Sequence, residues 1–168
     1  MTYEEWYADN YKKKQEILER LQGKSPREIV DYFDYDNMIL REPDYCPLYK
    51  DKMKCHNMDD LNCFFCACPY FLYGNNNNPI EIDRDNNTEI MSKCSIKSKF
   101  KDVFTYIQDD TKKKACDCSG CYIPHKKEFV YRYIKNKMFN NPIEDSCSLL
   151  ELIRTVQLND ILGNYRVF

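Results

Sequence analysis

The chain has 168 residues, 43% hydrophobic and 31% charged, with a net charge of −2 and a pI near 5.8. That is enough apolar material for one domain of ordinary size, and it excludes a chain that stays mostly unfolded. A bare duplex-DNA binder presents a basic face and a high pI, so nucleic acid is not the expected partner.

In chain order, residues 3–22 read as an amphipathic helix, with Trp6, Tyr7, Ile17, Leu18 and Leu21 on one face. The run Lys12-Lys13-Lys14 reads as its solvated side, and Gly23 sits where the helix would stop. Ser25-Pro26-Arg27-Glu28 is a helix start: Ser25 caps, Pro26 suits the first turn, and Glu28 closes a capping box. Ile29, Val30, Phe33 and Met38 follow on that helix. Pro43 and Pro47 then break the pattern. Gly74 to Pro79 is a loop by composition. Ile80-Glu81-Ile82 and Thr88-Glu89-Ile90 alternate like two short strands of a hairpin. Phe100, Val103, Phe104 and Ile107 have helical spacing, and this helix ends in Lys112-Lys113-Lys114, again read as a solvated face. Phe129, Val130, Tyr133, Ile134 and Met138 mark another helix, ended by Asn141-Pro142. Ser148 and Glu151 cap a last one holding Leu149, Leu152, Ile153 and Val156.

Ten cysteines are the outlier, and nine of them lie between Cys46 and Cys121. A secreted disulfide scaffold would explain such a count. The acidic N-terminal stretch Met1 to Trp6 has no signal-peptide pattern, and no apolar run approaches a membrane span. A cytoplasmic chain keeps its thiols reduced, and clustered thiols there bind metal or do chemistry. Zinc takes four thiolate or imidazole ligands. Cys63-Phe-Phe-Cys66 and Cys118-Ser-Gly-Cys121 have the spacing of two ligands on one ion, and Cys68 follows two residues behind the first pair. The expected ligands are Cys55, Cys63, Cys66, Cys68, Cys94, Cys118, Cys121 and His125, enough for two four-ligand sites. Spacing does not say which ligand serves which ion. Cys46, Cys116, Cys147 and His56 are held in reserve, Cys147 as a buried free thiol. An iron–sulfur cluster is the rival cofactor, because Cys-x-x-Cys runs and Cys68-Pro69 also occur around four-iron clusters; His125 leans toward zinc.

Cys55-His56, Cys63-x-x-Cys66-x-Cys68-Pro69-Tyr70 and Asp117-Cys118-x-x-Cys121 with His125 resemble the cysteine-rich small domain of bacteria and archaea. The resemblance covers about residues 46–130 and implies a metal-binding domain of undefined activity. It carries Cys55, Cys63, Cys66, Cys68, Cys118, Cys121 and His125 over as ligand candidates. In some archaea that family looks to be attached to an adenosylcobinamide amidohydrolase, so the resemblance hints at corrinoid metabolism. This chain departs from the family in its Asn-rich insertion, in Cys116 and in lacking the amidohydrolase domain.

The expected fold is α+β and mainly α: a small, irregular cysteine-rich module stapled by metal, flanked by helices, with room for one short β-hairpin. The expected organisation is an N-terminal helical extension over 1–45, the metal-binding module over 46–130, and C-terminal helices over 131–168 that pack on the module as one compact domain. The expected function is a zinc-stapled structural or interaction module with an unknown protein partner. An iron–sulfur redox protein is the alternative, and a metalloenzyme with an open metal position is the third reading. No phosphate loop, nucleophile elbow or paired-histidine protease motif is present to assign a catalytic residue.

Overall fold

The computed structural model describes residues 3–74, 78–96, 99, 101–107 and 110–136. These residues belong to two compact units. Unit 1 is drawn from Met1–Cys66 and Ile123–Phe168, and unit 2 is Ala67–Tyr122. The boundary therefore passes inside the Cys63–Cys68 string.

Unit 1 is helical. α1 spans Tyr3–Arg20, and Gly23, at φ 82°, takes the left-handed turn that ends it without the Cβ strain another residue would meet. α2 spans Pro26–Tyr32 and starts with the expected capping box: Ser25 Oγ accepts the Glu28 N–H, and the Glu28 carboxylate accepts the Ser25 N–H. The helix stops at Phe33, so Met38 lies on a separate helix, α3, Tyr35–Arg41. A 3-10 turn follows at Pro47–Asp51, and another at Ile123–His125 leads into α4, Lys127–Ile134. Leu18, Ile29, Val30, Phe33, Met38, Leu61, Val130 and Ile134 are buried together in one core. Three aromatic edges tighten it: Phe33 on Phe64, Phe64 on Phe65, and Phe65 on Tyr133.

Two charge patterns depart from expectation here. Lys14 is not on a solvated face. It is only 4% exposed, and its ammonium lies 5.5 Å above the Phe64 ring and 5.9 Å from Phe65. Residues 7, 10, 14, 17, 18 and 21 fall on one helical stripe, so Lys14, like Asn10, occupies a core-facing position. Lys112-Lys113-Lys114 lies on a strand, not a helix.

Unit 2 is built of short strands. β1 (Phe71–Tyr73) pairs antiparallel with β4 (Ser92–Cys94). β2 (Glu81–Asp83), β3 (Thr88–Ile90), β5 (Phe104–Ile107) and β6 (Asp110–Cys116) form a second sheet in the order β2-β3-β6-β5. The β2–β3 hairpin matches the alternation in the sequence, and Asp83 organises its turn by accepting the backbone N–H groups of Asp85 and Asn86. β3 runs parallel to β6, and β5 antiparallel to it.

The mainly helical expectation is thus corrected: the described residues hold four α-helices beside six strands in two sheets. The segment read as a helix through Val103, Phe104 and Ile107 holds β5 instead, with Val103 just ahead of the strand. Its apolar residues fit a period of 3.6, but Val-Phe-Thr-Tyr-Ile is a β-branched and aromatic run, and β6 offers it a partner. Phe100, Met138, Cys147 and the last two expected helix segments beyond residue 136 lie outside the described residues.

Candidate metal centre

The site in unit 1 is assembled around the segment 61–63. Leu61, Asn62 and Cys63 run between two other stretches: Tyr35 N–H donates to Leu61 O, Cys63 N–H to Phe33 O, and Asn62 N–H to His125 O. Asn62 is fully buried. Its amide nitrogen donates to Val30 O at 2.7 Å and to Asp34 Oδ1 at 3.1 Å, and its amide oxygen accepts the Phe64 N–H at 3.1 Å. Lys127 Nζ holds the other Asp34 oxygen at 2.6 Å. This network fixes the backbone on which the histidine rests.

His125 closes the second 3-10 turn and is buried. Its Nδ1 lies 3.0 Å from Asn62 O. A carbonyl can only accept, so Nδ1 carries the proton and the Nε2 lone pair is the atom left to bind a cation. Metal-ligating histidines are oriented in this same way. The His56 ring lies 4.5 Å from the His125 ring, and His56 Nδ1 is 3.2 Å from Cys55 Sγ. One ligand atom from each of Cys55, His56 and His125 falls within 4.8 Å of the other two. A zinc with bond lengths near 2.0 Å to nitrogen and 2.3 Å to sulfur would hold such atoms about 3.5 Å apart. Burial lowers the pKa of both histidines, keeping them neutral as ligands must be.

Cys46, Cys63 and Cys66 lie within electrostatic reach of Cys55. Cys46 precedes the Pro47–Asp51 turn. Burial pushes the Cys63 thiol up to about 12, and the neighbouring thiols of Cys55 and Cys46 add to the shift. Burial also raises Cys66 well above the ordinary range, with Cys63, Cys46 and Cys55 contributing and Lys14 opposing. With no cation beside them Cys63 and Cys66 hold their protons, whereas a bound zinc ion deprotonates a coordinating thiol outright.

The surroundings fit a cation. The hydroxyls of Tyr35 and Tyr49 are buried without a hydrogen-bond partner. Tyr49 approaches the Cys63 thiol outside good hydrogen-bond geometry, and Tyr35 is within reach of Cys63, Cys46 and Cys55. An orphaned buried hydroxyl costs free energy. Metal-bound thiolates would give both donors a charged acceptor.

The structure brings the expected ligands Cys55, Cys63, Cys66 and His125 into unit 1, together with the reserves Cys46 and His56. Cys68, Cys94, Cys118 and Cys121 lie in unit 2, with the reserve Cys116. Asn62, Tyr35 and Tyr49 were not legible as site residues; no spacing rule marks a group that serves a ligand from another segment. Among the described residues no helix is long and apolar enough to cross a membrane. Comparison with protein-family models, curated proteins and solved structures finds no significant match.

Proposed function

We propose that the chain is a zinc-binding structural module. In unit 1, Cys55, His56 and His125 supply three ligands, and a thiol from Cys46 or Cys63 supplies the fourth. The observation that carries this reading is the Cys55, His56 and His125 group, gathered from two distant segments, with His125 oriented by a buried carbonyl. A mixed nitrogen and sulfur set suits zinc. Four protein ligands leave no open position, so the metal's role is to hold segments 46–66 and 123–136 together rather than to activate water. Clustered reduced thiols suit a reducing compartment such as the cytoplasm.

The test is elemental analysis with a visible spectrum on protein purified without oxygen. Colourless, zinc-loaded protein is expected, and His125→Ala should lower its zinc content. Folded wild-type protein free of metal would sink the proposal.

An iron–sulfur cluster is the second reading, and one observation favours it. Cys46, Cys55, Cys63 and Cys66 share one electrostatic neighbourhood, yet among the described residues no three thiols lie within 4.8 Å of each other. A cluster is wider than a single ion and is held by four thiolates. Brown protein containing iron and sulfide would favour this reading over zinc.

A further inference from the structure

Unit 2 holds five thiols of its own: Cys68, Cys94, Cys116, Cys118 and Cys121. Strand pairing gathers them at one edge. Phe71, at the start of β1, sits opposite Cys94 at the end of β4, and Ser95 N–H donates to Tyr70 O at 2.8 Å. Cys68 lies just ahead of β1. Ser92 Oγ in β4 accepts the Cys116 N–H at 2.8 Å, which brings the end of β6 alongside β4. From there the chain turns at once: Cys121 N–H donates to Cys118 O at 2.9 Å, and Asp117 Oδ1 accepts the Ser119 N–H at 2.9 Å.

One sulfur pair is already at ligand spacing: Cys116 Sγ and Cys118 Sγ are 3.6 Å apart, and among the described residues no third sulfur lies within 4.8 Å of both. Two thiolates on one tetrahedral zinc, each bonded at about 2.3 Å, lie about 3.8 Å apart. The backbone N–H groups of Tyr70 and Phe71 lie near the Cys68 sulfur, with the Phe71 N–H bonded to Cys68 O at 3.1 Å, and the N–H of Cys94 lies near the Cys116 sulfur. N–H groups so placed stabilise negative charge on sulfur. The Cys68 thiol lies within electrostatic reach of Cys121 and Cys94, and the Cys118 thiol within reach of Cys116, Cys121 and Cys94. Cys94 shares this neighbourhood and differs from the other four only in that its thiol donates to Ile96 O at 3.6 Å.

We propose that unit 2 carries a second zinc site, all thiolate, with Cys68, Cys116, Cys118 and Cys121 as ligands and the backbone N–H of Cys94 beside the Cys116 sulfur. The assignment rests on the metal-binding reading for the choice of cation, but it uses no residue of the unit 1 site. It brings Cys116 in as a ligand and takes Cys94 out. A plain Cys-x-Cys contact would also put Cys116 near Cys118, since residues two apart in an extended segment share a side. The N–H groups near sulfur and the convergence of Cys68 and Cys121 have no role in that simpler explanation.

The experiment is cadmium-113 NMR of the full chain loaded with cadmium. Two resonances are expected, one well downfield from four thiolates and one upfield from mixed nitrogen and sulfur ligands. Cys116→Ser should remove the downfield resonance and about half of the bound metal, while Cys94→Ser should keep both resonances. An upfield resonance alone would overturn the second site and leave the first standing. A downfield resonance alone would support the second site and overturn the first. Loss of the downfield signal in Cys94→Ser, or its survival in Cys116→Ser, would overturn the ligand set. If Cys116→Ser does not fold, alkylation of zinc-loaded wild-type protein decides. Cys94 should then react while Cys68, Cys116, Cys118 and Cys121 are protected, and protection of Cys94 with reaction at Cys116 would overturn the assignment.

Discussion

Asn62 binds three groups with its side chain while its backbone exchanges two hydrogen bonds with His125. Asn62→Ala would leave the Phe64 N–H buried without its partner, while Val30 O would lose one donor and keep the Phe33 N–H. The expected loss is about 1–3 kcal/mol in chemical denaturation, the cost of one buried orphan, with weaker zinc retention against a chelator. An unchanged midpoint would mean that the network relaxes around the gap. Lys14 supports a pH prediction. Burial lowers its pKa from 10.5 to about 8, and Cys66 partly opposes the shift. Between about pH 8 and 10.5 the unfolded chain holds a proton that the folded chain has released, so stability rises with pH across that window. Relative to Lys14→Met, the wild type should therefore gain on the order of 2 kcal/mol between pH 8 and pH 10. Comparing the two proteins cancels the opposing titration of the buried tyrosines. Parallel pH profiles would show that Lys14 keeps its charge when buried. These residues also mark the limit of reading the sequence. Cysteines announce themselves by type and spacing. Lys14 was hidden within a lysine triplet, where only helical phase separates the buried member from the exposed ones. Cys116 stays a reserve in the sequence, because the pair Cys118 and Cys121 already fills the familiar spacing.

At the level of elements, the helices of unit 1 were legible because each start and stop has a local cause: the capping box at Ser25, the left-handed Gly23, the apolar stripe. The strands of unit 2 were less so, because their stability comes from partners far away in sequence. β6 sits between β3 and β5 although it carries three lysines. Its backbone is paired on both sides, Lys114 lies 3.9 Å from Asp83, and its ammonium is 5.0 Å from the Tyr106 ring. Nothing in the lysine run itself encodes those neighbours. Gly74, just after β1, is another case. Its N–H donates to Met91 O at 2.7 Å, and a Cβ there would come within 2.4 Å of the Asn78 backbone oxygen. That distance is well inside van der Waals contact, and the obstacle is backbone rather than a side chain that could swing aside. Gly74→Ala should lower the stability of unit 2 by about 1–3 kcal/mol, as overpacking does. The observable would be faster amide exchange at Met91 and Ser92, with exchange in α2 and α4 unchanged. Equal acceleration in the helices would show that the two units unfold as one.

Across the whole molecule, the described core is unevenly shared, and this sets what metal removal should do. Sixteen buried hydrophobic residues form the unit 1 cluster, whereas the buried hydrophobics of unit 2 are Ile90, Met91 and Cys116. A domain with so little apolar burial relies on staples. A structural zinc site contributes on the order of 10–16 kcal/mol in small peptides, as much as the whole stability of an ordinary domain. The sequence alone suggests that the entire 46–130 stretch depends on metal in this way. The structure divides that dependence, because Leu61, Phe64, Phe65 and Val130 pack into the helical core of unit 1. Chelation of the zinc-loaded protein should therefore act in two stages. Amides of Thr88 to Ser92 in unit 2 should lose protection first, while those of Leu18, Ile29 and Val130 stay protected and most helical circular dichroism remains. Unit 1 should lose only the order around Cys55, His56 and His125. Single-step loss of all protection would mean that the helical core also depends on metal, and full retention would mean that the strands stand without it.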